Sequence, residues 1–239
     1  MIYRCAYGDD DLWSRMMGNI RAETRKGLEH CGRVELLEHL ISWTVVEDRE
    51  ALEGATVRQV RELFRKWSHS ASDERDGPGA SEAAFLCPRY NFCIMIDQKC
   101  LDSLAVREKR TAEAKAAGKQ HWFPRAELPV FARYIRIEKP WPAGLAIEKA
   151  RKHWIWCLVT NRMVDLGGQE NLDDQRGDEA QDDPGAADAI DDYDEREDKD
   201  WMYVSTYMLF EVYDEFHSQS LFEDLYVRPP QIYGGGKVK

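Results

Sequence analysis

The run DDQRGDEAQDDPGAADAIDDYDEREDKD, residues 173–200, limits what this chain can fold into more than any other stretch. Between Asp165 and Asp200, sixteen Asp and Glu stand against Arg176, Arg196 and Lys199, a net charge of −13, whereas the whole chain carries −11. The rest of the chain therefore has 30 basic and 28 acidic residues, a balance of +2, and the low pI belongs to the acidic segment alone. That segment has almost no large apolar side chains, so burial cannot offset the ~1–2 kcal/mol of backbone entropy lost per ordered residue. Residues 165–200 are expected to form a disordered acidic loop, and residues 1–164 plus 201–239 to form one folded domain.

Those remaining 203 residues are rich enough in Trp, Tyr, Phe, Ile, Leu and Val for one large core. The amino terminus, MIYRCAYGDDDLW, does not have the form of a signal peptide, and no window approaches the ~18 apolar residues of a membrane span. A cytoplasmic or nuclear protein without membrane partners is the expectation. Six cysteines (Cys5, Cys31, Cys87, Cys93, Cys100 and Cys157) lie mostly in apolar stretches without CxxC spacing. They read as reduced thiols used as small hydrophobes.

Ile2 to Tyr7 is short and apolar, and Gly8-Asp9-Asp10-Asp11 supplies a turn and helix-capping oxygens. Trp13, Met16, Met17, Ile20, Thr24, Leu28 and Cys31 then recur at helical steps. A short apolar helix follows over Val34 to Ile41, and Trp43 to Val46 reads as a strand. Thr56 with Gln59 forms a capping-box pattern opening a helix to about His69, with a loop over residues 70–80. Tyr90 to Ile96 is apolar on both faces, as a central strand requires, and residues 98–119 form an exposed helix. Arg133 to Glu138 alternates as an edge strand would, while HWIWCLV, residues 153–159, has the length and aromatic content of a strand, although the preceding AIEKARK could run into it as a helix. After the acidic run come a strand at Trp201 to Thr206, a helical face from Leu209 to Phe216, and a last strand at Leu225 to Val227. Together these predict an α+β fold: a mainly antiparallel sheet, ferredoxin-like pairing being one candidate, with helices packed on it.

Several stretches carry a resemblance: CAYGDDDLW, WTVVEDREALEGA with RELFRKW, RYNFCIMID, and WMYVSTYMLFEVYD with YVRPPQIYGG. Together they are similar to a group of uncharacterised filamentous-fungal proteins that carry an acidic low-complexity stretch before the final WM-containing strand. The resemblance implies one folded unit in an intracellular fungal setting and assigns no activity or site. It departs at residues 105–152, which look like an added basic, aromatic insertion.

No GxSxG, GxxxxGK[ST], GxGxxG or HExxH occurs, so no serine-hydrolase, nucleotide or zincin motif guides the chemistry. His30, Cys31 and His39 do not converge on one helix face, and neither they nor the cysteines of the middle suggest a metal site or a cofactor. Asp10 and Asp48, at the ends of two strands, could pair as carboxylates or cap helices, with Arg61 or Arg228 holding an anion if the chain is an enzyme acting on small molecules. From Lys99 to Arg162, fourteen Lys and Arg face six Asp and Glu. Trp122, Arg125, Arg133, Arg136, Trp141, Lys152 and Trp154 are the expected contacts of a basic aromatic surface. A protein or other anionic partner, nucleic acid included, would fit it, and the acidic loop could screen it as a tethered counter-charge. The expected function is that of a binding or interaction module using this surface, with a small-molecule enzyme and a nucleic-acid-binding protein as the alternatives.

Overall fold

A computed structural model of the chain describes residues 1–76, 88–118, 128–137, 198–215, 222, 225–235 and 238. The strands are β1 (Ile2–Arg4), β2 (Val45–Val46), β3 (Phe92–Ile96), β4 (Phe131–Arg136), β5 (Trp201–Ser205) and β6 (Ile232–Tyr233). The helices are α1 (Asp10–His30), α2 (Val34–Leu37), α3 (Arg49–Leu52), α4 (Val57–Asp76), α5 (Pro88–Asn91), α6 (Gln98–Ala116) and α7 (Leu209–Glu215). Short 3-10 turns, Glu38–Leu40 and Thr206–Met208, follow α2 and precede α7.

The strands form one sheet in the order β2-β1-β3-β4-β5-β6. β1 runs parallel to β2 and β3, β4 is antiparallel to both β3 and β5, and β6 is parallel to β5. The fold is α+β, but the sheet is mixed, which corrects the expectation of a mainly antiparallel one. The reason lies in the connections: β1 reaches β2 through α1, and β2 reaches β3 through α3 and α4, and helical crossovers return the chain in the same direction.

Register assigns the two faces. Ile2, Ile94 and Tyr134 stand side by side, as do Tyr3, Met95 and Arg133 on the opposite face. The first face meets α1, where Arg4 packs on the Trp13 ring. The second meets α4, where Tyr3 contacts Phe64 edge-on at 6.4 Å. One continuous core spans both, with Ile2, Ile20, Phe64, Ile96, Ala132, Ile135 and Met202 all essentially inaccessible. α1 and α7 touch where Gly27 leaves room: a Cβ there would sit 3.0 Å from the Phe210 ring.

Several expectations change. β4 is flanked by β3 and β5, so Phe131–Arg136 is an interior strand and not an edge, and the span 105–152 contributes a central element to the sheet. Local alternation cannot separate the two cases, because both require side chains on alternate faces. Residues 70–76, expected in a loop, continue α4, and Tyr90 and Asn91 are helical. Residues 225–227 form no strand; the final strand is β6, beyond the Pro229-Pro230 peptide, which is cis. Residues 153–159 and 165–197 lie outside the described residues. The acidic run nevertheless ends inside the fold. Asp198 and Asp200 are largely buried and lie 2.7 Å from Arg61 and Arg136 respectively. Among the described residues, no helix is long and apolar enough to cross a membrane.

Candidate functional site

The carboxyl ends of the parallel strands are where an α/β sheet ordinarily binds its ligand, above all where neighbouring strands send their connections in opposite directions. Here that point lies between β1 and β3, because the chain leaving β1 goes to β2 on one flank and the chain leaving β3 goes to β4 on the other. Polar side chains fill it, and they fill it with each other. Each strand runs into a helix capped by an aspartate: Asp9 accepts from Leu12 N at 2.8 Å, Asp48 from Ala51 N at 3.2 Å, and Asp97 from Cys100 N at 3.0 Å. These caps satisfy amides that the first helical turn would leave unpaired.

Arg4, 7 % exposed, organises the remainder. Its guanidinium bonds the Asp10 carboxylate, lies 3.4 Å from Glu47, donates to Ala6 O at 3.0 Å, and stacks near the Tyr7 and Trp13 rings. Asp10 and Glu47 do meet in space, as a strand-end pairing allows, but a buried arginine lies between them. Asp48 is committed to the α3 cap. Between the ends of β1 and β3, Asp97 also holds Arg133 at 2.7 Å, and Arg133 lies over the Trp201 and Tyr203 rings. Burial pushes the nearby Cys5 thiol up to about 12, with Asp97 adding to the rise and Arg133 opposing it. Burial likewise raises Cys93 to about 12. Thiols so placed stay protonated and are poor nucleophiles.

The sequence-derived candidates therefore scatter. Arg61 is committed to Asp198, and Arg228 is exposed in the turn before β6. Arg133 and Arg136, expected on an open basic surface, are turned into covered faces because β4 is interior, and each has its own carboxylate. Trp122, Arg125, Trp141, Lys152 and Trp154 lie outside the described residues. Cys31 is exposed just beyond α1, whereas Cys5, Cys93 and Cys100 are buried as expected of small hydrophobes. Among the described residues, no group of three or more His, Cys, Asp or Glu is placed to hold a metal ion.

An opening among the described residues is at the other end of the sheet. A cavity of about 380 Å³ lies under the amino ends of β1 and β3, on the face that meets α1. Its floor is Ile2, Ile94 and Tyr134 from three adjacent strands, with Ile20 and Thr24 from α1 and Leu209 from α7. Leu37, Leu40, Ile41 and Trp43 build the outer wall, and Trp67 and Phe210 the sides. No residue of α2 or of the 3-10 turn after it is fully buried, so the outer wall has no core of its own. Floor residues such as Ile2 and Ile20 are 1 % exposed or less, while Leu40 at the mouth is 66 % exposed.

Polar groups differ by depth: the Met1 amino group is largely buried, its pKa lowered from 8.0 by that burial, whereas Ser42 and Thr44 are exposed on the outer wall. The Tyr134 hydroxyl lies at the floor, its pKa raised well above the usual value chiefly by burial and then by neighbouring Tyr213, so it remains protonated. Tyr213, Arg75 and Arg89 line the mouth. No Asp, Glu, His or Lys is among the described lining residues. The sequence flagged none of this as a site: Arg75 falls in the presumed loop, and the apolar lining carries only a core pattern. Cavity lining and core packing demand the same residues, so periodicity cannot distinguish them. No family model matches this chain, and neither does any curated protein or solved structure.

Proposed function

We propose that this chain is a binding protein for a small, mainly apolar molecule held in the cavity between the sheet, α1 and α7. The observation that carries the reading is the cavity itself: about 380 Å³, walled by isoleucine, leucine, tryptophan and phenylalanine, with a few polar groups at floor and mouth. Small-molecule sites have this make-up and this range of volume. Binding is favoured over catalysis because the carboxylates suited to act as bases, Asp10 and Asp48, are committed at the opposite end of the sheet. An enzyme using one of them as base would hold it in a pocket with Arg61 or Arg228, and none of the four lines this cavity.

The test uses linear alcohols of six to ten carbons with the full chain. Ligands of that size are expected to bind with a Kd on the order of 0.1 mM, given the free energy small ligands gain per atom. Leu37→Trp, on the half-buried outer wall, fills the volume at little cost to folding and is expected to abolish binding. The reading fails if isothermal titration finds no binding by the unaltered protein, or equal binding by Leu37→Trp.

A further inference from the structure

We infer that the molecule this cavity takes is a monocarboxylic acid, its apolar body inside and its carboxylate at the mouth against Arg75 with Arg89; the inference rests on the binding role proposed above. Three observations converge on it. The charged side chains among the described lining residues are both arginines, so the wall has one sign of charge. Arg75 is exposed and has no ion-pair partner among the described residues, in contrast to Arg4, Arg61, Arg133 and Arg136, each of which is held by a carboxylate. Finally, the cavity is polarised by depth: Arg75 is exposed at the rim, whereas the Met1 amino group, the cationic group lining the interior, is largely buried and has its pKa lowered from the usual 8.0 by that burial, so its charge is disfavoured.

Physical chemistry then fixes the orientation. A carboxylate driven inward would lose its hydration beside an amino group whose own charge burial disfavours, whereas at the mouth it keeps water and gains an arginine. A guanidinium is also the side chain best matched in shape to a carboxylate, offering paired parallel donors. A cationic or neutral head group would gain nothing from that rim. The competing account is that Arg75, in the last turn of α4, merely offsets the partial negative charge of the helix end. That account predicts an effect of Arg75 on stability and none on ligand choice.

The probes are octanoate, 1-octanol and octylamine, matched in body and differing in head group, measured by isothermal titration at neutral pH and low salt. Octanoate is expected to bind about tenfold more tightly than octanol, and octylamine more weakly than either, the fold-change of one charge-assisted contact. The acid preference is expected to shrink with added salt, because the rim is exposed. Arg75→Glu is expected to erase the preference for acid while leaving octanol affinity unchanged, and Arg75→Lys to restore part of it. Equal binding of acid and alcohol, or an acid preference that survives Arg75→Glu, overturns the inference while the cavity remains a binding site. If none of the three probes binds, the binding role itself fails and this inference with it.

Discussion

At the carboxyl ends of β1, β2 and β3, Asp9, Asp48 and Asp97 cap helices, Asp10 and Glu47 hold Arg4, and Asp97 also holds Arg133. At the amino ends of β1 and β3 the face that meets α1 leaves about 380 Å³ open, with apolar walls and Arg75 at the rim. One end is rich in reactive-looking groups that are all committed to one another; the other has little chemistry and room to receive something. A cluster of acids and arginines attracts attention in a sequence, but in a fold its first use is to satisfy helix ends and buried charge. In this molecule, vacancy points to function better than polarity does.

The largest effect expected from breaking that contrast is at Asp97. Replacing it with alanine removes a cap and leaves the 5 %-exposed Arg133 without its carboxylate, and is expected to destabilise the protein by ~3–5 kcal/mol in urea unfolding. Asp97→Asn keeps the capping oxygen and is expected to recover only the cap's share, ~1 kcal/mol. Full recovery would show that the ion pair matters little.

A second, smaller effect is set by pH. The Cys5 and Cys93 thiols rise from the ordinary 9.0 to about 12 on folding, so the unfolded chain loses these protons first. Their contribution is complete below about pH 9 and is lost progressively toward pH 12, at ~1.4 kcal/mol per pH unit for each thiol. Urea midpoints measured from pH 8 to 11 should fall accordingly, and less so in Cys93→Ala once its lower starting stability is subtracted.

The smallest effect separates the caps from one another. Asp9→Ala, at the head of a 21-residue helix, is expected to cost ~1 kcal/mol in urea unfolding. Asp48→Ala should cost less, because α3 has four residues and buries only Leu52. Equal costs would mean that capping acts independently of how much helix lies behind it.

Much of the local structure was readable beforehand. Thr56 and Gln59 form the reciprocal capping box that their spacing announces, Gln59 accepting from Thr56 N at 2.8 Å and donating its own amide to Thr56 Oγ1 at 3.3 Å. Trp13, Met16, Met17, Ile20, Thr24 and Leu28 are the buried stripe of α1, and β3 is covered on both faces. The candidate site was far less readable. Arg133 and Arg136 look in sequence like members of a basic surface, and only their place on an interior strand turns them inward. The acidic run reads as uniform to its end, yet Asp198 and Asp200 meet Arg61 and Arg136 across the fold.

What the amino-acid order settled alone is what acts within about one helical turn or one strand: caps, apolar periodicities, and the concentration of negative charge in one segment. Strand direction, strand order, the partner of each buried arginine and the cavity were decided by tertiary structure. These depend on groups distant in sequence reaching one place, as when residues 2, 94 and 134 become neighbours on one face of the sheet. No local pattern encodes that meeting, because the same alternation of apolar side chains serves an edge or a centre, a filled core or the wall of a pocket.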